Sequence, residues 1–233
     1  LKYTEALSNL KKFLMSHAMI EAKKYMVTDI YIVGSGGLGR EIADTIALLP
    51  NYKIKGFIDT SFKPGSVVNG IEVLGPNEHL MGISGTVNAV LAVASSSARR
   101  RVVEYFGASV TWCNIIHPTA IVSPFATLGA GLIVQAYCVL AANCKIGDFV
   151  VMNAHSGAGH DAEVGAYASI MSYCDVAGNA SLGSDSFMGS GAKVIPSVNV
   201  GCGSYLCAGA VVMRDVKDAE KVIGNPGRVV GTV

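Results

Sequence analysis

The stretch from Ala141 to Leu182, AANCKIGDFVVMNAHSGAGHDAEVGAYASIMSYCDVAGNASL, repeats a pattern every six residues. Ile146, Met152, Ala158, Val164, Ile170, Val176 and Leu182 follow at that interval. The same step runs back through Leu140, Val134 and Leu128 to Val122, and on through Met188, Val194, Val200 and Leu206 to Val212. All sixteen positions are aliphatic or methionine. Two residues before most of them stands a small side chain, as at Cys138, Cys144, Ser156, Ala162, Ala168, Cys174 and Ala180, with Leu132, Val150 and Val198 as larger exceptions. Residues at i−2 and i share one side of a short strand, so each hexad reads as one buried strand and three hexads close a triangular coil of 18 residues. Gly129, Gly147, Gly165, Gly183 and Gly201 recur every 18, each just after its aliphatic residue. They stack in one column, which reads as a corner where glycine permits a left-handed backbone. A repeat of this kind predicts a solenoid, and in it Cys138, Cys144 and Cys174 are inward packing residues.

The composition agrees with that architecture and excludes several classes of function. Of 233 residues, 51% are hydrophobic, 15% are charged and 27 are glycine; few charges and many glycines suit a regular, turn-rich fold. Lys+Arg 18 against Asp+Glu 17 leaves a net charge of +1, with no basic cluster to attract nucleic acid. The mean hydropathy is +0.43, yet no apolar run approaches the roughly 18 residues that a membrane span needs. The six cysteines form no CxxC pair and nothing at the N-terminus resembles a signal peptide, which points to reduced thiols and a cytoplasmic location. Residues 1–25 read as an amphipathic helix with Leu7, Leu10, Phe13, Leu14 and Ile20 near one face.

The first half follows a different rhythm. DIYIV (Asp29 to Val33) reads as a buried strand, followed by GSGGLG with Gly34, Gly36 and Gly39 and a helix over Arg40 to Leu49. A second strand, Ile54 to Ile58, ends at Asp59, and a third, Val87 to Val93, ends at Ala94 before a helix carrying Arg99, Arg100 and Arg101. Alternating strands and helices imply a parallel sheet with a ligand crevice at the strand C-termini. A glycine loop at a helix start lets a diphosphate approach backbone N–H groups, and an acid at the next strand end accepts hydrogen bonds from ribose or base. On the motif alone this fits NAD nearly as well as a nucleotide sugar. The three arginines read as a solvated helix face, with a phosphate contact as the less favoured alternative.

From His117 to about Val216 the hexads resemble the left-handed parallel β-helix of the hexapeptide acyltransferases, and Gly224-Asn225-Pro226-Gly227 resembles that family's terminal loop. A short Rossmann-like domain leading through IIHPTAIVSP (Ile115 to Pro124) into hexads that contain GHD (Gly159, His160, Asp161) and AGN (Ala177, Gly178, Asn179) is similar to one group in particular. These are the bacterial sugar acetyltransferases of the sialic acid O-acetyltransferase and PglD type, whose members usually begin near the position of Met26 here. The expected fold is therefore an α/β Rossmann-like domain, residues 27–114, followed by a left-handed β-helix, residues 115–233, with residues 1–26 an extension of uncertain origin. The resemblance implies acetyl-CoA as co-substrate, a nucleotide-linked amino sugar as acceptor, and a homotrimer with active sites between subunits. It assigns His160 as general base and Asp161 as the acid that raises its basicity. Gly178 offers an N–H to the acetyl carbonyl, Ser190 and Ala208 line coenzyme A, and Gly36, Gly37, Leu38, Asp59 and Ala94 contact the nucleotide sugar. Two residues depart from the pattern: Leu38 and Ser169, the latter also in the cofactor region, stand where many members have histidine.

The register supports part of this assignment by itself. His160 and Gly178 are 18 apart, as are Ser190 and Ala208, so each pair occupies one column on successive coils, roughly 4.8 Å apart. A base one layer from an N–H donor suits acyl transfer. A zinc site at His155 and His160 is the rival chemistry, but zinc catalysis needs three protein ligands and the stacked neighbours of His160 are Ala142 and Gly178. The sequence therefore predicts no metal, with a substrate or supporting contact as the less favoured role for His155. The non-enzymatic alternative is a nucleotide-binding scaffold whose solenoid only trimerises. An O-acetyltransferase acting on sialic acid or another sugar is the enzymatic one.

Overall fold

The computed structural model describes residues 27–233, so the helix read into residues 1–25 lies outside the described residues. In the first half, apolar strands and short helices alternate: β1 (Thr28–Val33), α1 (Gly37–Ala47), β2 (Tyr52–Ile58), β3 (Val67–Val68), β4 (Ile71–Gly75), α2 (Glu78–Met81), β5 (Val87–Leu91), α3 (Ser96–Phe106) and β6 (Val110–Trp112). The sheet order is β3-β4-β2-β1-β5-β6, parallel throughout except for the β3–β4 pair. From β1 the chain runs to β2 on one side, while β5 lies on the other, which opens a crevice at the strand C-termini. Helix α1 begins three residues before the expected Arg40. Gly36 is its N-cap, and its carbonyl accepts the Arg40 N–H at 3.1 Å, so the glycine loop itself forms the first turn.

The hexads form two-residue strands from β7 (Ile115–Ile116) to Val211–Val212, stacked in three parallel sheets that are the faces of a triangular prism. The second residue of each strand points inward: Leu140, Met152, Ile170 and Leu206 are all at most 1% exposed. Cys138, Cys144 and Cys174 are buried beside them. A one-residue slip would turn every inward side chain to solvent, at about 1.5–3 kcal/mol for each large aliphatic, so the register is firmly set.

The corner glycines have a different role from the one the spacing suggested. The left-handed residues are those three places after each inward aliphatic, among them Tyr137, Asn143, His155, Asp161 and Asn179, with φ between 58° and 61°. Their N–H groups bond to the coil below, as Asp161 N–H to the Ala142 carbonyl at 3.0 Å and Asn179 N–H to the His160 carbonyl at 2.9 Å. The glycine column does not have positive φ. A Cβ on Gly183 would lie 2.5 Å from the Cys202 nitrogen, and one on Gly147 would lie 2.6 Å from the Ala166 nitrogen. Glycine is required there because successive coils approach too closely for a side chain.

The Rossmann-like domain covers the lower part of the first face. Ile115, Ile133 and Val151 point outward from the solenoid but are at most 3% exposed, because they pack with Ile30, Ile42 and Ile46 of the N-terminal domain. The corner aromatics Phe149 and Tyr167 join a second shared cluster with Phe106 and Val110, and Trp112 meets Phe149 edge-on at 5.9 Å. The second face remains open, with Ile121 66% and Val139 44% exposed. At the other end, β24 (Glu220–Ile223) continues the first face and β25 (Arg228–Thr232) returns antiparallel to it. No described helix is long and apolar enough to cross a membrane.

Candidate active site

His160 lies two residues beyond the Gly157–Ala158 strand, at the corner between the second and third faces. Its Nδ1 is 2.9 Å from Asp161 Oδ2. Both side chains are exposed, at 65% and 48%. Asp161 itself has a left-handed backbone, φ 58°. With a carboxylate accepting, Nδ1 carries the proton, and in the neutral imidazole the lone pair is then on Nε2. That nitrogen faces the next coil: a Cβ added to Gly178 would lie 2.5 Å from Nε2 and 2.7 Å from Cε1. Gly178 is thus the residue whose missing side chain makes room for the ring. Its N–H has no backbone acceptor among the described residues.

Asn143, which the sequence reading passed over, stands one coil below Asp161 and donates from Nδ2 to Oδ1 at 3.2 Å. The His160 bond first, and the Asn143 bond second, hold the Asp161 carboxyl below its ordinary pKa. The signal was available, since Asn143 precedes Asp161 by 18 residues and the column rule brings it beneath.

Ser190 and Ala208 are exposed and follow Met188 and Leu206 at the corner between the first and second faces, one coil apart. They do not share a corner with His160 within one chain. Ser169 is elsewhere again, 3% exposed under the N-terminal domain, with its hydroxyl 2.9 Å from Arg99 Nη2. His155 stacks between Tyr137 and Tyr173 at 4.9 and 4.8 Å, away from the His160 corner. Among the described residues, no group of three His, Cys, Asp or Glu side chains is placed to hold a metal.

In the N-terminal domain the glycine loop and Asp59 are one unit. Asp59 Oδ2 accepts from both the N–H and the hydroxyl of Ser35, at 2.8 and 2.6 Å, and Oδ1 accepts from the Ser61 N–H at 2.8 Å. Partial burial pushes the Asp59 carboxyl up, but these bonds outweigh it and hold the pKa below its ordinary value. Gly36 and Gly37 are exposed, and a Cβ at either would meet nothing within 4 Å, so this edge of the loop is open to a ligand. Leu38, partly buried, packs against the core that contains Ile42 and Phe57. Ala94 is exposed at the end of β5, but its carbonyl is held at 2.7 Å by Arg99 Nη1. Arg99 itself is 1% exposed, which corrects the reading of the three arginines as one solvated face. Arg100 meanwhile pairs with Asp185 at 2.6 Å and lies over the Tyr167 ring at 4.1 Å. Both arginines bind the solenoid because α3 is packed against it.

Comparison with known proteins agrees with this layout. Residues 29–106 match the family model of the PglD N-terminal domain. Over 88% of the chain the fold superposes on all of the acetyltransferase domain of PglB from Neisseria gonorrhoeae FA1090, solved in complex with acetyl coenzyme A, with a TM-score of 0.82 and 32% identity. The chain belongs to the PglD-type sugar acetyltransferase family. This PglD-type chain also superposes, over 88% of its length, on 98% of PerB from Caulobacter crescentus, solved in complex with CoA and GDP-perosamine, with a TM-score of 0.81 and 29% identity. Among curated proteins it is 32% identical over 140 residues to the GDP-perosamine N-acetyltransferase of Escherichia coli O157:H7, a match spanning 56% of this chain and 61% of that protein. The solenoid is accordingly a left-handed β-helix behind a Rossmann-like domain.

Proposed function

We propose that the protein is an acetyl-CoA-dependent N-acetyltransferase whose acceptor is an amine on a nucleotide-linked sugar, with His160 as general base and Asp161 as its partner. The observation that carries this reading is the His160 ring, with Nδ1 tied to Asp161 and Nε2 facing Gly178 one coil above. Acetyl-CoA supplies the acetyl group as a thioester. As the amine nitrogen bonds to the acetyl carbon and the C–S bond breaks, Nε2 takes the amine proton and returns it to the departing thiolate. The Gly178 N–H is the donor available for the carbonyl oxygen as charge builds there. Gly36, Gly37, Leu38, Asp59 and Ala94 form the nucleotide-sugar crevice, and Ser190 and Ala208 line the coenzyme.

A homotrimer is part of the same reading. The open second face, with Ile121 and Val139 exposed, offers apolar area to a second copy. In one chain the nucleotide domain covers the first face while His160 stands at the far edge of the second, and Ser190 and Ala208 lie at the near edge. A neighbouring copy packed on the second face would bring those two edges together. The six cysteines are free thiols, which supports a reducing, cytoplasmic setting.

The test is release of free CoA from acetyl-CoA in the presence of UDP- and GDP-linked amino sugars and of sialic acid. Release with an amine-bearing nucleotide sugar is expected. Release with sialic acid alone makes the protein an O-acetyltransferase, and no release with any acceptor leaves a nucleotide-binding scaffold. His160→Ala should lower kcat by about 10² to 10⁴ with acetyl-CoA binding kept. A monomer by light scattering at micromolar concentration refutes the trimer.

A further inference from the structure

Arg99 is a buried cation bonded to no carboxylate. Its guanidinium, 1% exposed, donates from Nη1 to the carbonyls of Val93 and Ala94, at 3.1 and 2.7 Å. From Nη2 it donates to the carbonyls of Tyr167 and Ala168, the latter at 3.3 Å, and to the Ser169 hydroxyl at 2.9 Å. The first pair of acceptors belongs to the loop that ends β5, where Ala94 borders the crevice. The second set belongs to one coil of the solenoid. Burial pushes the Arg99 pKa down to about 10, against the pull of the Asp185 carboxylate, so the group is still charged at neutral pH. Nε has no partner among the described residues.

If adhesion between domains were all that this position required, an apolar side chain would provide it at lower desolvation cost, as Ile133 and Val151 do nearby. A guanidinium does something that such a side chain cannot. It is a rigid planar fork, and here each outer nitrogen holds a different domain, which fixes the β5 loop relative to the coil within hydrogen-bond tolerance. Reaction rates depend steeply on such placement, since an error of about 1 Å can cost about 10².

We infer that Arg99 is a positioning residue for the acceptor: by clamping the Val93–Ser95 loop to the Tyr167–Ser169 coil, it holds the nucleotide-binding crevice in place relative to the solenoid that carries the acetyl-transfer chemistry. The inference rests on the crevice being a nucleotide site, as proposed above. It predicts that the clamp acts on the acceptor side alone.

The experiment compares wild type, Arg99→Lys, Arg99→Met and Ser169→Ala as full chains. Binding of UDP, GDP and acetyl-CoA is followed by calorimetry, and the amide exchange of Val93 to Ser97 by hydrogen–deuterium mass spectrometry. Arg99→Lys keeps the charge but cannot reach both sets of acceptors. It should weaken binding of whichever nucleotide the wild type takes by roughly tenfold or more, leave acetyl-CoA affinity within about twofold, and speed exchange in the loop but not in Gly34 to Leu38. Ser169→Ala should shift the same quantities in the same direction by less, and it keeps the test open should Arg99→Met fail to fold. Unchanged nucleotide affinity in Arg99→Lys, or equal weakening of nucleotide and acetyl-CoA, overturns the inference. Wild-type protein that binds neither UDP nor GDP refutes the nucleotide reading first, and the inference with it.

Discussion

Gly178→Ala is the most economical test of the proposed base, because it adds one methyl group and disturbs little else. Gly178 does not have the positive φ that would strain an alanine, and nothing but the imidazole lies closest to the new Cβ: Nε2 at 2.5 Å, Cε1 at 2.7 Å and Cδ2 at 3.0 Å. An ordinary van der Waals contact begins at 3.4 Å, so the ring must retreat by about 0.9 Å (3.4 − 2.5). His160 is 65% exposed and is free to swing outward, away from the coil that would carry the acetyl carbonyl. Misplacing a reacting group by about 1 Å costs about 10² in rate, close to the lower limit for losing a general base outright. The expectation is a kcat near one hundredth of wild type by the CoA-release assay, with acetyl-CoA affinity kept. The melting temperature should stay within about 3 °C, since an exposed ion pair contributes little to stability. A variant that keeps more than about a tenth of the wild-type kcat refutes the argument, because the ring would then not need its present place. A large drop in melting temperature refutes it differently, by showing that Gly178 is required for packing.

Asp161 should titrate below the ordinary carboxylate range in a ¹³C carboxyl titration. Its contact with His160 is therefore complete above that range and lost as the pH falls through the lowered pKa; Asn143→Ala should raise this pKa part of the way, because the larger contribution from His160 remains. Asp59→Ala should weaken nucleotide binding while sparing acetyl-CoA, and it should also loosen the glycine loop, seen as faster amide exchange at Ser35, whose N–H it now holds. Gly183→Ala, at a position outside the proposed contact residues, should cost about 1–3 kcal/mol by overpacking, read as a fall in melting temperature of roughly 3–10 °C, because its Cβ would meet the Cys202 backbone.

The solenoid was legible because a period of six, once fixed by inward aliphatics, determines every other residue's place. His160 beneath Gly178 and Asn143 beneath Asp161 both follow from adding 18, and only the first was read. The same period says nothing about why a position holds its residue. The column Gly147, Gly165, Gly183 fits a left-handed corner and a close approach of backbones equally well in sequence, and those two demands differ only in three dimensions. The domain junction was beyond the period altogether. Arg99, Arg100 and Arg101 are three adjacent cations on an α-helix, successive residues turn by about 100°, and nothing local says which of them faces a neighbour. The partner carbonyls at Tyr167 and Ala168 lie about seventy residues away and belong to the backbone, so no side chain in the sequence advertises them. Long-range contacts to side chains leave a trace in composition, as Arg100 and Asp185 do with opposite charges. Contacts to main-chain carbonyls leave none, and a clamp built mostly from them becomes visible only when the two domains are seen together.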